Sequence, residues 1–150
     1  MHLEGTYKIK CSQSDVWKFI SDPQQISQCL PDLQKLDLKD STHFTVTVKV
    51  GITFLRGAFR FDFTLLDQTP PTHSRFEAVG KGAGVSVRLH AAMDLMENEP
   101  AVTELSWKCD VELGGLLGEV SPSLIERSAD EFTREFFSCI KSKLEAHSGS

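Results

Sequence analysis

Long apolar runs and concentrated basic segments are both absent from this sequence of 150 residues. Its apolar runs fall far short of the ~20 residues that a membrane-spanning helix requires, so only peripheral membrane contact is compatible with it. Lys and Arg number 16 against 21 Asp and Glu, the formal net charge is -5, and no run of Lys and Arg exceeds two residues. Because phosphate binding needs a concentrated basic face, we predict that nucleic acid is not a ligand.

Closely spaced cysteine and histidine pairs are also missing. Cys11, Cys29, Cys109 and Cys139 include no C-x-x-C pair, and no apolar signal segment precedes the opening MHLEGTYKIK. We therefore predict unpaired, buried cysteines and a cytoplasmic location, with peripheral contact at the inner face of the membrane as an option. The five histidines lack a second ligand at i+2 or i+4, which predicts neither a metal site nor a bound cofactor.

The length and composition indicate one globular domain. Hydrophobic residues make up 40% and charged residues 25% of the chain, which are ordinary globular values. A chain of this size can bury a core and enclose a cavity within it. We assign residues 1–146 to this domain and the polar residues 147–150 to a disordered tail or expression remnant.

Period-two alternation of apolar and polar residues predicts seven strands. The first is LEGTYKIK, and the second and third, QKLDLKD and HFTVTVKV, form a hairpin. GAFRFDFTLLD follows, then a strand from about Ser74 to Gly82, then the long stretches GVSVRLHAAMDLME and TELSWKCDVEL. The short polar connections imply an antiparallel meander with one apolar face.

Helical spacing occurs in only two regions. Ser12 is a candidate N-cap for a short helix, SQSDVWKFI, and the next stretch, DPQQISQCLPDL, predicts a second short helix that begins near Pro23 and stops before Pro31. The C-terminal third carries an apolar stripe of a long amphipathic helix, in which Pro122 either starts or kinks the helix. The stripe consists of Leu117, Leu124, Ile125, Ala129, Phe132, Phe136, Ile140 and Leu144.

These elements predict an α+β fold in which a seven-stranded antiparallel sheet wraps around the long C-terminal helix. A single helix about 10 Å wide cannot fill the concave side of such a sheet, and the two short helices after the first strand are placed to cover the remaining opening. In DPQQISQCLPDL, Ile26, Cys29 and Leu30 share one helical face, which predicts the underside of a lid.

The inward-facing positions of this fold are apolar and rich in aromatic residues. Each of them either fills the core or lines a cavity, and cavities that enclose apolar ligands span ~300–1,000 Å³. The predicted cavity residues are Ile26, Cys29, Leu30, Val46, Val48, Phe61, Phe63, Phe76, Leu89, Met93, Trp107, Leu124, Phe132 and Phe136.

Catalytic chemistry finds no candidate residues in the same pattern. Asp62, Glu104, Asp110 and Glu112 fall on the solvent face of their strands, and Cys29 has no histidine predictably near it. The segment GKGAG lacks the spacing of a phosphate loop and precedes a strand, so it predicts a hairpin.

Several strings resemble the CoxG family of carbon monoxide dehydrogenase proteins, within the START and Bet v 1 superfamily. They are LEGTYKI, VWKFISDPQQISQCLPDLQKL, VKVG, LLDQTPP, GKGAG and DVELGGLLGEVSPSLIE, in the family's order over nearly the whole chain. The D-P-x-x-x-x-x-C-L/I-P element is the most specific of them. The resemblance implies a helix-grip fold, an internal hydrophobic cavity for a lipid-like or quinone-like molecule, and a link to molybdenum-dependent carbon monoxide dehydrogenase.

Three functions follow from these observations. The leading one is a non-catalytic carrier of a hydrophobic small molecule, as an accessory factor of the dehydrogenase. An enzyme of the polyketide cyclase or dehydratase type is the alternative, and it requires an acid or histidine inside the cavity. A protein that only binds a component of an oxidoreductase is the third.

Overall fold

The computed structural model describes residues 1–52, 55–115 and 120–148. Its elements follow the predicted order of one strand, short helices, six strands and a long helix. They are β1 (His2–Ile9), α1 (Gln13–Ile20), α2 (Pro23–Ile26), a 3-10 turn (Ser27–Cys29), β2 (Leu33–Leu38), β3 (His43–Ile52), β4 (Leu55–Thr69), β5 (His73–Gly82), β6 (Val85–Glu99), β7 (Val102–Gly115) and α3 (Pro122–Ser148).

The seven strands form one antiparallel sheet in the order β1-β7-β6-β5-β4-β3-β2. Short hairpins connect β2 to β7 in sequence, and β1 pairs with β7 at one edge. The β5–β6 hairpin shows why GKGAG is a turn: Gly82 pairs with Val85, and the two residues between them, Ala83 and Gly84, have φ values of 50° and 77°. Two left-handed residues make the tight hairpin that the sequence predicts.

The short helices begin where the sequence predicts. The Ser12 hydroxyl accepts the backbone N–H of Asp15 at 3.2 Å and caps α1. The Asp22 carboxylate accepts the N–H of Gln24 at 3.0 Å and caps α2, with Pro23 in the first helical turn. Because β1 and β2 are the two edges of the sheet, residues 10–32 must cross from one edge to the other. This crossing segment is hereafter the lid.

Helix α3 begins at Pro122. The carbonyl of Ser121 accepts the N–H groups of Leu124 and Ile125 at 3.1 and 3.2 Å, which places Ser121 at the N-cap, so Pro122 starts this helix and does not kink a longer one. Leu117 of the predicted stripe lies outside the described residues. The helix spans 27 residues, and the assignment of 147–150 to a tail stays a prediction.

Helix α3 is packed unevenly along its length. Phe137, Ile140 and Leu144 in its C-terminal half are at most 5% exposed, and this half packs against β1, α1 and the 3-10 turn. Between Pro122 and Phe136, by contrast, no residue reaches the buried class. The space that the sheet leaves under a single helix is therefore on the side of the N-terminal half of α3.

Candidate functional site

Two separate groups of buried residues make up the interior. The closed core lies under the C-terminal half of α3, and the smaller hairpin-end core lies near the hairpins β3–β4 and β5–β6. The closed core consists of Ile9, Cys11, Val16, Phe19, Ile20, Cys29, Met93, Leu95, Leu105, Phe137, Ile140 and Leu144. The hairpin-end core consists of Val48, Phe59 and Val85, with Leu30, Leu33, Val50, Phe61, Val87, Leu113 and Val120 half-buried around it.

Between these cores, the inward-facing aromatic side chains are only half-buried. Phe61, Phe63, Phe76, Trp107 and Phe136 all retain accessible surface, although the alternation of their strands and the stripe of α3 direct them inward. A side chain in a filled protein interior keeps almost no such surface, because cores are packed as densely as organic crystals. The interior thus contains space at least as large as a water molecule, bounded by aromatic rings.

One aromatic wall crosses β3, β4 and β5. Phe44 and Phe63 stack with centroids 4.9 Å apart, and Phe63 continues to Phe61 at 6.3 Å and to Phe76 at 6.0 Å. Phe61 in turn stacks on Phe59 of the hairpin-end core at 6.2 Å. These contacts join five rings into one continuous apolar surface.

A second aromatic wall lies between the β1–β7 edge and α3. Phe137 stacks on Trp107 at 4.9 Å and on Tyr7 at 5.3 Å. Phe136 meets Phe137 edge to face at 5.3 Å, and Phe132 stacks on Phe136 at 6.2 Å. The wall extends from the closed core towards the N-terminal half of α3.

Glycines on neighbouring strands let the rings of both walls lie flat. A Cβ at Gly5 would lie 2.8 Å from Nε1 of its cross-strand partner Trp107. A Cβ at Gly80 would collide with the ring of its own cross-strand partner, Phe61. Because the rings lie against backbone instead of standing upright, they take up less of the interior. Nε1 of Trp107 is buried with no hydrogen-bond partner among the described residues.

The lid contacts both cores and is tied to α3 by a disulfide. Ile26 and Cys29 pack in the closed core, and Leu30 packs against the hairpin-end core. Cys29 is bonded to Cys139 of α3, with their Cα atoms 5.5 Å apart. The prediction that these two cysteines are unpaired is wrong. Spacing could not show the pairing, because the partners are 110 residues apart, and the argument for a reducing compartment from cysteine spacing is weakened accordingly.

Two further details of the prediction need correction. Ile26, Cys29 and Leu30 do not share one helical face, because a 3-10 turn follows Ile26 and Leu30 is already extended, with ψ of 130°. Phe132 does not point into a filled interior but is 43% exposed. Its position follows from the unpacked N-terminal half of α3.

The remaining predicted cavity residues lie on the inner side of the fold as expected. Val46, Val48 and Met93 are buried, and Leu89 and Leu124 are half-buried. Their role as a cavity lining stays a prediction. Phe137 is a wall residue that the predicted set lacks, because the predicted stripe runs through Phe132 and Phe136. The spacing of Phe137, Ile140 and Leu144, at i, i+3 and i+7, could have revealed it.

Charged side chains gather on the outer face of the sheet. Asp62, Asp110 and Glu112 are exposed, and His90 is exposed and lies 3.0 Å from Glu77. On the inner side, burial followed by the nearby charge of Asp110 raises the pKa of the Cys109 thiol to about 11, so it stays protonated at neutral pH. Within the described ranges, no group of three His, Cys, Asp or Glu is placed to hold a metal ion.

A family model and several solved structures agree with this architecture. The model for CoxG, a component of carbon monoxide dehydrogenase, matches residues 5–145. A conserved protein from Geobacillus kaustophilus superposes with a TM-score of 0.90 at 22% identity, covering 96% of this chain and 95% of that one. None of the curated protein sequences matches significantly.

More distant structures share the same fold. A START superfamily protein from Mycobacterium smegmatis has a TM-score of 0.73 at 12% identity, with 97% of each chain covered. The Zhui aromatase/cyclase from Streptomyces sp. R1128 has a TM-score of 0.73 at 13% identity, covering 97% of this chain and 93% of that one. No described helix is long and apolar enough to cross a membrane.

The sheet wrapped around α3, with an apolar interior beneath a lid, defines a helix-grip protein of the START and Bet v 1 superfamily. Within that superfamily, the chain belongs to the CoxG family of carbon monoxide dehydrogenase proteins.

Proposed function

We propose that this protein binds a hydrophobic small molecule, of the quinone or lipid class, between the sheet and α3 and carries it without chemical change. The carrying observation is the pair of aromatic walls whose rings remain half-buried although they face inward. Apolar rings around an unfilled space favour a ligand held by shape and burial.

The chemistry of the interior supports carriage over catalysis. The strand carboxylates Asp62, Asp110 and Glu112 are on the opposite face of the sheet from the walls, and the raised pKa of Cys109 removes its thiolate at neutral pH. A cyclase or dehydratase on this fold requires an acid or histidine that projects between the walls. The family membership further supports a role beside a molybdenum-containing carbon monoxide dehydrogenase, from a cytoplasmic, membrane-peripheral position.

Filling the interior tests the proposal. Leu89 is half-buried on the inner face of β6, opposite Ala78, whereas the next residue, His90, is exposed on the outer face. Leu89→Trp adds an indole to the space between the walls, and His90→Trp adds the same group outside it. Native mass spectrometry after incubation with a short-chain quinone or a fatty acid measures the bound fraction.

We expect an adduct with the wild-type protein and with His90→Trp, and a loss of at least tenfold in apparent affinity for Leu89→Trp. Thermal melting shows whether both variants fold. The proposal is refuted if folded wild-type protein retains no apolar molecule from the cell and takes up neither probe. It is equally refuted if folded Leu89→Trp binds as well as the wild type.

A further inference from the structure

Folding brings basic residues together that are scattered in the sequence. Lys49 on β3, Arg60 on β4, Lys81 on β5 and Arg88 on β6 are all exposed on the outer face of the sheet. Arg60 pairs directly with Lys81, Lys49 is diagonal to Arg60, and Arg88 is diagonal to Lys81. At about 4.8 Å between neighbouring strands, the four residues form a line roughly 14 Å across. We call this line the basic face.

The basic face is only partly neutralised by the residues around it. Asp62 lies 3.5 Å from Arg60, and Glu112 is the cross-strand partner of Arg88. Lys49, Lys81 and Arg88 make no ion pair with any other described residue. Direct pairing of Arg60 with Lys81 costs stability, because like charges opposite each other on a sheet repel. In a chain with a net charge of -5, such an arrangement is favourable when an anionic partner neutralises it.

The surroundings of the basic face distinguish among anionic partners. Its outward neighbours are Thr47, Ala58, Val79 and Ser86, so it offers no aromatic ring on which a nucleic-acid base could stack. On the inner side of the same strands lies the hairpin-end core, where Val50, Leu33 and Leu113 remain half-buried. The β3–β4 ladder ends beside it with the apolar pair Ile52 and Leu55.

We propose that the basic face docks this end of the protein onto an anionic lipid membrane. Lys and Arg residues gain about 1 kcal/mol each near a surface of anionic lipids, and the attraction fades within a Debye length. Docking here brings the loosely packed end of the interior to the bilayer, where apolar ligands dissolve. The purpose of the contact rests on the proposed carrier function, but the contact itself does not.

Vesicle sedimentation with matched double variants tests the docking. Lys49→Gln with Lys81→Gln removes two charges from the basic face. Lys18→Gln with Lys108→Gln removes two charges from exposed positions on α1 and on β7. The probes are vesicles of phosphatidylcholine alone and vesicles with about 30% phosphatidylglycerol, in low and high salt.

We expect wild-type protein to bind only the anionic vesicles and to be released by high salt. The basic-face double variant should bind roughly 25-fold more weakly, or about fivefold per lysine, and the control pair less than about threefold. Equal binding to both kinds of vesicle, equal losses in the two double variants, or no vesicle binding at low salt would each overturn the proposal. Binding of an acidic protein without any vesicle binding would do the same.

A second measurement separates this result from the carrier function. Quinone uptake in vesicle-free solution should be unchanged in the basic-face variant, and Leu89→Trp should still sediment with anionic vesicles. Failure of vesicle binding with intact quinone uptake rejects the docking alone. Failure of uptake with intact vesicle binding rejects the carrier function alone.

Discussion

Breaking the disulfide between Cys29 and Cys139 is expected to destabilise the fold by several kcal/mol. A cross-link restricts the unfolded chain, and for a sequence separation of 110 residues the loop-closure relation gives about 5 kcal/mol at 25 °C. Loss of native disulfides commonly costs about 2–5 kcal/mol, which agrees with this value. The bond also joins the lid to α3 inside the closed core, where Cys29 is 6% exposed, so little water can replace the lost contact.

Urea unfolding measures the effect in wild-type protein, in Cys29→Ala and in Cys109→Ser, which alters a thiol outside the bond. Reductant should lower the unfolding free energy of the wild type and of Cys109→Ser by similar amounts, and should leave Cys29→Ala unchanged. Alkylation of the denatured, unreduced wild type should modify two of its four cysteines. Modification of all four before reduction, or a reductant effect below about 1 kcal/mol, would refute the reasoning.

Two smaller perturbations follow from local geometry. The hydrogen bond between His2 and Asp110 raises the pKa of His2 above 6.5 and lowers the pKa of Asp110 below 3.8. Its stabilisation is therefore fullest between these two ordinary values, and it is lost as pH rises through the raised pKa or falls through the lowered one. Thermal melts should show that His2→Ala lowers Tm at pH 5.5 and has little effect at pH 9; an equal drop at both would contradict this. Gly80→Ala should cost about 1–3 kcal/mol in urea unfolding because its Cβ displaces the Phe61 ring, while Gly51→Ala, whose Cβ meets nothing within 4 Å, serves as the control; equal costs would exclude the clash.

Much of the fold was predictable because its signals are local. Alternation along each strand reports which face is apolar, and short polar connections dictate antiparallel neighbours. The same locality explains the caps: Ser12 and Asp22 each bond to a backbone N–H within three residues. These interactions need no knowledge of the rest of the chain.

The candidate site was less predictable because it depends on distances between remote elements. The pairing of Cys29 with Cys139 requires the lid to meet α3, and nothing in the spacing of either residue reports that contact. Helical periodicity assigned Phe132 to the same stripe as Phe136, but how far α3 stands from the sheet decides which of them is covered. The basic face likewise arises only from strand register, since no run of basic residues contains it.

The two ends of the helix grip are closed to different degrees, and this difference argues for the direction in which a ligand would pass. At the closed core, Leu105 and Ile140 have no accessible surface, and the disulfide holds the lid to α3. At the hairpin end, only three residues are buried, and Leu30 follows the disulfide-bonded Cys29 without a covalent tie of its own. Opening the first end would disrupt dense packing and strain a covalent bond, whereas opening the second displaces a few half-buried aliphatic side chains. The easier path leads out beside the basic face.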